Sequence, residues 1–224
     1  MEFTLLWAAL TGVSFAWLGV RLWRDGLPPK PFDVLLGAGV VGLITGRLAA
    51  MVIQGINPFS NPGQFILVRG GVHTGFASIG ALAALIWLLR GRIRPMDALT
   101  PAALFALAGW HAGCVWRSAC LGTASQLPWA WSQEGSAVTR HPVELYAAVG
   151  LAAAGLIIGR LPLKPLLRFG TGLGAAGAVR LVTEPMRHTI TGGPVSWYVA
   201  AVLLGAATAI AGRVLEDRLE RVST

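Results

Sequence analysis

DVLLGAGVVGLITGRLAAMVIQ, residues 33–54, is a 22-residue run with one charge at its start, Asp33, and one inside it, Arg47. A helix crossing the hydrocarbon core of a bilayer needs about 20 mostly apolar residues, and this run is that long. The residues after it, Gly55, Asn57 and Pro58, carry turn chemistry that stops a helix. Read this way, the segment is a membrane span, and the same test applied outward finds six more. They lie at 3–22, 71–90, 98–118, 142–161, 165–183 and 194–212. The breaks are GLPPK (26–30), NPFSNPG (57–63), RGRIRP (90–95), RLPLKP (160–165) and TGGP (191–194). Pro142 and Pro194 suit the first turn of a helix, where a missing N–H costs nothing. The expected fold is therefore all-α: a polytopic membrane protein of about seven spans forming one transmembrane helical domain over residues 1–224, with residues 119–141 as a small extracytoplasmic loop region. The sixth span is the least regular, being glycine-rich and interrupted by Arg180 and Glu184. No internal repeat is visible.

The composition agrees. Of 224 residues, 54% are apolar and 12% charged, against about 25% charged in a soluble domain; the mean hydropathy is +0.64. Seven spans and short loops use almost the whole chain. The net charge of +8 does not point to nucleic acid, because no basic face interleaves with aromatic residues. It fits loops held on the cytoplasmic side. Arg21, Arg24 and Lys30, then Arg90, Arg92 and Arg94, then Arg160, Lys164 and Arg168, then Arg213, Arg218 and Arg221 all fall on one side, whereas the other has Arg69, Arg140 and Arg187. The positive-inside rule then places the N-terminus outside and the C-terminus in the cytoplasm. The N-terminal MEFTLLWAAL has no basic region before its apolar run and is read as a retained first helix rather than a signal peptide.

Gly42/Gly46, Gly155/Gly159 and Gly170/Gly174 recur at four-residue spacing, which lets helix backbones approach closely. Cys114 and Cys120 lie six apart on the expected fourth span and do not face each other. They are expected to be buried apolar thiols rather than a disulfide.

Charges inside hydrocarbon cost at least about 2.5–3.5 kcal/mol each on the insertion scale and mark functional sites by default. Arg47, Arg117 and Arg180 fall within or at the ends of spans; His73 and His111 lie in spans three and four; Arg140 and His141 open span five; Glu184 closes span six. Some of these arginines are expected to snorkel or to pair with Glu184 or Glu144. Taken together the set holds few acids, so it predicts an excess of buried positive charge that wants an anionic ligand. In a membrane that anion is a phospholipid headgroup, and guanidinium binds phosphate through paired hydrogen bonds. A histidine on an apolar helix is ordinarily a hydrogen-bonded core residue, yet its near-neutral pKa also suits a general base. His111, Cys114 and Ser118 share a helix face if span four runs to 118. The stretch Arg140-His141-Pro142-Val143-Glu144-Leu145-Tyr146 is the most specific in the chain, although Tyr146 also suits an interfacial aromatic belt.

At this point the chain resembles a family, the prolipoprotein diacylglyceryl transferases of the bacterial inner membrane. Gly46-Arg47-Leu48 resembles that family's Gly-Arg-(Ile/Leu) segment. Gly70-Gly71 and the glycine-rich start of span three resemble its Gly-Gly…His-Gly-Gly segment. Gly113, Gly122 and Leu127-Pro128-Trp129 match the spacing of its span-four motif and the Leu-Pro-Trp that follows. Arg140-His141-Pro142 with Leu145-Tyr146 resembles Arg-His-Pro-Ser-Gln-Leu-Tyr. Arg180, Glu184 and Arg187 reproduce Arg-x-x-x-Glu-x-x-Arg. The resemblance covers roughly residues 40–200. The chain departs from the pattern at four places: His111 stands at the family's span-four arginine, Arg117 at its asparagine, Gly75 at its span-three histidine with His73 two residues earlier, and Ala147 at the glutamate after its tyrosine.

The resemblance implies a reaction in which phosphatidylglycerol donates its diacylglyceryl group to the lipobox cysteine of a preprolipoprotein, forming a thioether and releasing glycerol phosphate. It implies Arg140 and Arg180 on the lipid phosphate, with Arg117 standing in for the replaced arginine, and His73 as the base, with His111 or His141 as the next candidates. Arg47, His141, Tyr146, Glu184 and Arg187 are the remaining substrate-binding candidates. The implied partners are phosphatidylglycerol, other membrane lipid and the lipobox segment, not nucleic acid; no metal or soluble cofactor is suggested. The alternatives are a paralogue that keeps the fold but binds anionic lipid or transfers another headgroup, and a transporter. The second would call for inverted repeats with broken helices, which are not found.

Overall fold

A computed structural model describes residues 4–60, 63, 71–114, 120–132, 135–187 and 193–223, with main chain alone at 4, 5, 93 and 216–223. Among these residues the chain forms seven α-helices: α1 (Thr4–Leu22), α2 (Pro31–Ile53), α3 (Thr74–Leu88), α4 (Ile93–Ala112), α5 (Val143–Arg160), α6 (Pro165–Thr183) and α7 (Val195–Ser223). A short ribbon, β1 (Trp131–Ser132) against β2 (Thr139–Arg140), lies between α4 and α5 with Trp131 opposite Arg140. Three of the helices, α2, α5 and the Val195–Leu215 part of α7, are long and apolar enough to cross a membrane, and Leu6–Leu22 and Thr74–Leu88 are shorter apolar helices. Leucine, isoleucine, valine and tryptophan side chains such as Val52, Trp87, Val149, Val182 and Leu203 stand more than 60% exposed on the outer helix faces, where lipid rather than water is the compatible solvent.

The helix starts follow local chemistry. Pro31 and Pro165 occupy first-turn positions of α2 and α6, and Asp33 adds a negative charge to the first turn of α2, where the helix dipole favours it. The fourth span is displaced from its expected limits, 98–118. It begins at Ile93 because Pro95 falls in the first turn, where an N–H has no intrahelical partner to lose. It ends at Ala112, with Gly113 capping it. The early end also corrects two expectations. Cys114 lies past the helix in a turn, so it shares no helix face with His111, and Ser118 lies outside the described residues. Cys114 and Cys120 are joined as a disulfide, with Cα atoms 5.9 Å apart; once the chain leaves the helix it can fold back on itself, which an unbroken helix forbids. Iodoacetamide is therefore expected to label neither cysteine before reduction and both after it, as read by intact mass.

Glycines set the helix contacts. Gly170 and Gly174 of α6 meet Gly205 of α7 backbone to backbone, and Gly177 meets Tyr198 and Ala201. Gly42 and Gly46 let α2 approach Ala77 and Ala81 of α3, while Gly155 of α5 takes Phe105 of α4 and Gly159 takes Trp23. A side chain at Gly205 has no room, so Gly205→Leu is expected to cost about 1–3 kcal/mol by overpacking, seen as a lower Tm in detergent. Two buried apolar clusters fill the interior: Ala38, Leu85, Leu89, Met96 and Leu99 near one end, and Leu104, Ala108, Leu151 and Ile158 in the middle. Near the first cluster the buried Asp97 of α4 takes a hydrogen bond from Arg168 of α6 at 3.4 Å.

Candidate functional site

The polar residues gather where α4, α5, α6 and α7 meet. Glu144 is the second residue of α5, and its carboxylate is 7% exposed. Its Oε2 lies 2.5 Å from His111 Nδ1, near the end of α4. The same oxygen accepts from Arg180 Nη1 of α6 at 3.2 Å, and its Oε1 sits 3.4 Å from Arg187 Nε. Glu184 follows α6 in a short 3-10 turn and is reached by Arg180 Nη2 at 3.5 Å and by Arg187 Nη1 at 3.6 Å. Tyr198, at the start of α7, accepts from Arg180 Nε and Nη2 at 3.4 Å through its hydroxyl, and the guanidinium stacks over its ring. Gly193 closes this corner with φ +65°, a conformation that glycine adopts freely, and a Cβ there would collide with Glu184 Oε1.

Two carboxylates thus match two guanidiniums. The expected excess of buried positive charge is corrected at Arg180 and Arg187, since bringing cations out of water without counter-charges costs more than pairing them. Arg140 differs. It sits half-buried on β2 and donates from Nη1 to Gly122 O at 3.2 Å, and it has no carboxylate partner among the described residues. Gly122 is held close by: its N–H donates to His141 O, and Thr123 N–H donates to Met186 O just past α6. The ribbon therefore seats Arg140 beside the turn that carries Glu184 and Arg187.

His141 Nδ1 lies 3.3 Å from the Tyr146 hydroxyl, which accepts from Trp129 Nε1 at 2.9 Å. A shallow depression lined by Cys120, Leu121, Trp131, Pro142, Glu144 and Leu145 opens over this end of α5.

His73 is not in the Glu144 network. It caps α3, with Nδ1 accepting from Phe76 N–H at 3.5 Å, and its ring packs edge-on to Trp197. Trp197 and Tyr198 are consecutive, so α7 carries the His73 contact and the Arg180 contact on adjacent residues. Arg47 is buried in α2 and donates to Gly71 O at 2.9 Å. Arg117 lies outside the described residues.

The sequence model of the prolipoprotein diacylglyceryl transferase family matches residues 3–215. The chain belongs to this family. Among curated proteins, the phosphatidylglycerol–prolipoprotein diacylglyceryl transferase of Chlamydia trachomatis is 31% identical over 160 residues, covering 64% of this chain and 58% of the relative. That of Chlamydia muridarum is also 31% identical over 160 residues, covering 64% of this chain and 57% of its own length. The match thus spans less than three fifths of either relative. At the polar end of this transferase-family chain, Glu144 was expected only as an ion-pair partner for a buried arginine, and Tyr198 was not expected at the site. An acid in the first turn of a helix and a tyrosine near a helix start are both ordinary, for dipole and interfacial reasons. The one available signal was a buried arginine, Arg180, in need of a counter-charge.

Proposed function

We propose that this chain is a diacylglyceryl transferase that moves the diacylglyceryl group of phosphatidylglycerol to the thiol of a prolipoprotein's lipobox cysteine. The observation that carries the reading is the family match, which runs through nearly the whole chain and includes the arginine-bearing motifs around residues 140 and 180. In this reading the seven helices all span the bacterial inner membrane as a single domain, with the N-terminus outside, the C-terminus in the cytoplasm and residues 119–141 forming an extracytoplasmic loop over the site. The disulfide between Cys114 and Cys120 supports that side for the loop, because disulfides persist in oxidising compartments.

The chemistry needs an anionic leaving group stabilised and a thiol proton removed. Among the described residues Arg140 meets only the Gly122 carbonyl, which leaves guanidinium N–H groups for a phosphate. Arg180 binds the same phosphate from the other side through what its glutamates leave open, and Arg187, Arg47, Arg117, His141, Tyr146 and Glu184 shape the remainder of the substrate site. A histidine takes the proton, with His73, His111 and His141 as the candidates.

Purified protein in detergent, given labelled phosphatidylglycerol and a lipobox peptide, is expected to form the thioether and release glycerol phosphate. The same peptide with its cysteine blocked should give neither. Phosphatidylglycerol binding without transfer would overturn this reading in favour of a lipid-binding paralogue. The occupation of Arg180 by Glu144, Glu184 and Tyr198 is the observation on that side.

A further inference from the structure

We propose that His111, held by Glu144, is the base that removes the thiol proton, with Glu144 as its positioning residue. The inference rests on the transferase reading and assigns its proton step.

What decides is which ring nitrogen offers a lone pair. Glu144 faces Arg180 at 3.2 Å and Arg187 at 3.4 Å, two guanidiniums that can only donate, so the carboxylate accepts on both oxygens. An ionised carboxylate only accepts hydrogen bonds. The 2.5 Å contact to His111 Nδ1 therefore places the imidazole hydrogen on Nδ1 and the lone pair on Nε2. A carboxylate behind one ring nitrogen that fixes the basic tautomer at the other is the arrangement by which an imidazole is made a competent base. No protein partner meets Nε2 among the described residues, and the side chain keeps 17% of its surface exposed. Glu144 also lines the shallow depression over this end of α5.

The other two described histidines are held differently. His73 Nδ1 accepts from Phe76 N–H, so its neutral ring carries hydrogen on Nε2 and presents a donor. His141 Nδ1 faces the Tyr146 hydroxyl, a group that both donates and accepts and so does not fix which ring nitrogen carries the hydrogen. Among the described histidines, His111 is the one whose partner, a carboxylate, can only accept and so fixes the lone pair on Nε2.

The step balances. The cysteine S–H proton passes to His111 Nε2 as the sulfur lone pair forms an S–C bond to the glyceryl carbon. The C–O bond to phosphate breaks, and its electron pair leaves on the phosphate oxygen. The imidazolium then gives its proton to the departing glycerol phosphate or to water. Help is needed because a thiol of pKa about 8.5 is only a few per cent ionised at pH 7. Among the described residues, the charged and titratable groups around His111 are Glu144 of α5, Arg180 of α6, Glu184 and Arg187 just beyond it, and Tyr198 of α7. Helix α1, packed on the other flank of α4, brings no charged side chain to this end over residues 4–14.

The test is His111→Asn, whose amide keeps a donor where Nδ1–H was but has no base beyond it. Wild type, His111→Asn, Glu144→Gln and His73→Ala are assayed with phosphatidylglycerol and the lipobox peptide at pH 7 and pH 9.5, beside thermal melts. His111→Asn is expected to melt like wild type and to lose about 100-fold in kcat at pH 7, the size of a general-base contribution, with KM for phosphatidylglycerol within about twofold. At pH 9.5, where the thiol ionises by itself, the loss should shrink to about tenfold or less, and added imidazole should restore part of the pH 7 rate. Glu144→Gln should lose about tenfold in kcat with the same pH relief. His73→Ala should show a loss that is the same at both pH values. If His111→Asn stays active, or loses activity equally at both pH values while His73→Ala shows the relief, the assignment is overturned and the transferase reading stands. If wild type makes no thioether, both fall. Should His111→Asn melt early, the pH relief and imidazole rescue of the folded fraction decide, because a structural defect responds to neither.

Discussion

Arg180→Ala is expected to abolish diacylglyceryl transfer and to lower the melting temperature of the protein in detergent. The side chain is 8% exposed and joins Glu144, Glu184 and Tyr198, and the two carboxylates are themselves 7% and 4% exposed. Truncation leaves Arg187, the more exposed arginine, to neutralise both acids alone. Removing one partner of a buried pair costs about 3–5 kcal/mol, because the remaining charge stays buried without its partner. For a chain of this size each kcal/mol moves the melting temperature by about 2–4 °C, so the shift should be large enough to read from the tryptophan fluorescence melt. Arg180→Lys should recover part of the stability and little of the activity, since an ammonium cannot hold Glu144, Glu184 and Tyr198 at once as the planar guanidinium does. A melting temperature equal to wild type in Arg180→Ala would mean that the glutamate contacts contribute nothing and that the arginine serves a ligand alone.

This double role marks the limit of what could be read from the sequence. The apolar runs gave the helices well, because a lipid-facing helix must satisfy its backbone internally and advertise its length in hydropathy. Helix α6 falls at 165–183 as expected despite its glycines, and those glycines turn out to be the surface that α7 rests on. The displaced α4 shows where hydropathy fails. Ile93–Pro95 looks like a break because prolines end helices, yet the first turn tolerates a proline. At the other end the polar segment past Gly113 blends into the apolar run. Within the site, Arg140, Arg180, Glu184 and Arg187 stood out because charge near hydrocarbon is rare. Glu144 was named only as a pairing partner for an arginine; its contact with His111 was missed, because its partners are 33 and 36 residues away, at His111 and Arg180, and no local spacing encodes that contact. The order of the histidine candidates also turns on contacts that the sequence does not display. A ring's tautomer depends on what faces it: His73 takes Phe76 N–H by local capping, whereas only the packed helices bring Glu144 to His111.

Arg140→Ala should separate chemistry from stability more cleanly than any change at Arg180. Its guanidinium donates to the Gly122 carbonyl at 3.2 Å and meets no acid among the described residues, so truncation forfeits a hydrogen bond worth about 1 kcal/mol and strands no buried charge. The melting temperature should move by only a few degrees. Transfer should fall about 10²–10³-fold, as it does when one preorganised donor is taken from a developing anion. The loss should appear mainly in kcat. A phosphodiester carries one negative charge, whereas the phosphate monoester that departs as the C–O bond breaks carries close to two. A cation facing it therefore gains most in the transition state, and an interaction realised there lowers kcat rather than raising KM when it is removed. Steady-state kinetics against phosphatidylglycerol in mixed micelles would read this split. A rise in KM with kcat unchanged would assign Arg140 to holding the headgroup in the ground state, and the charge developed on the leaving phosphate would then fall to Arg180.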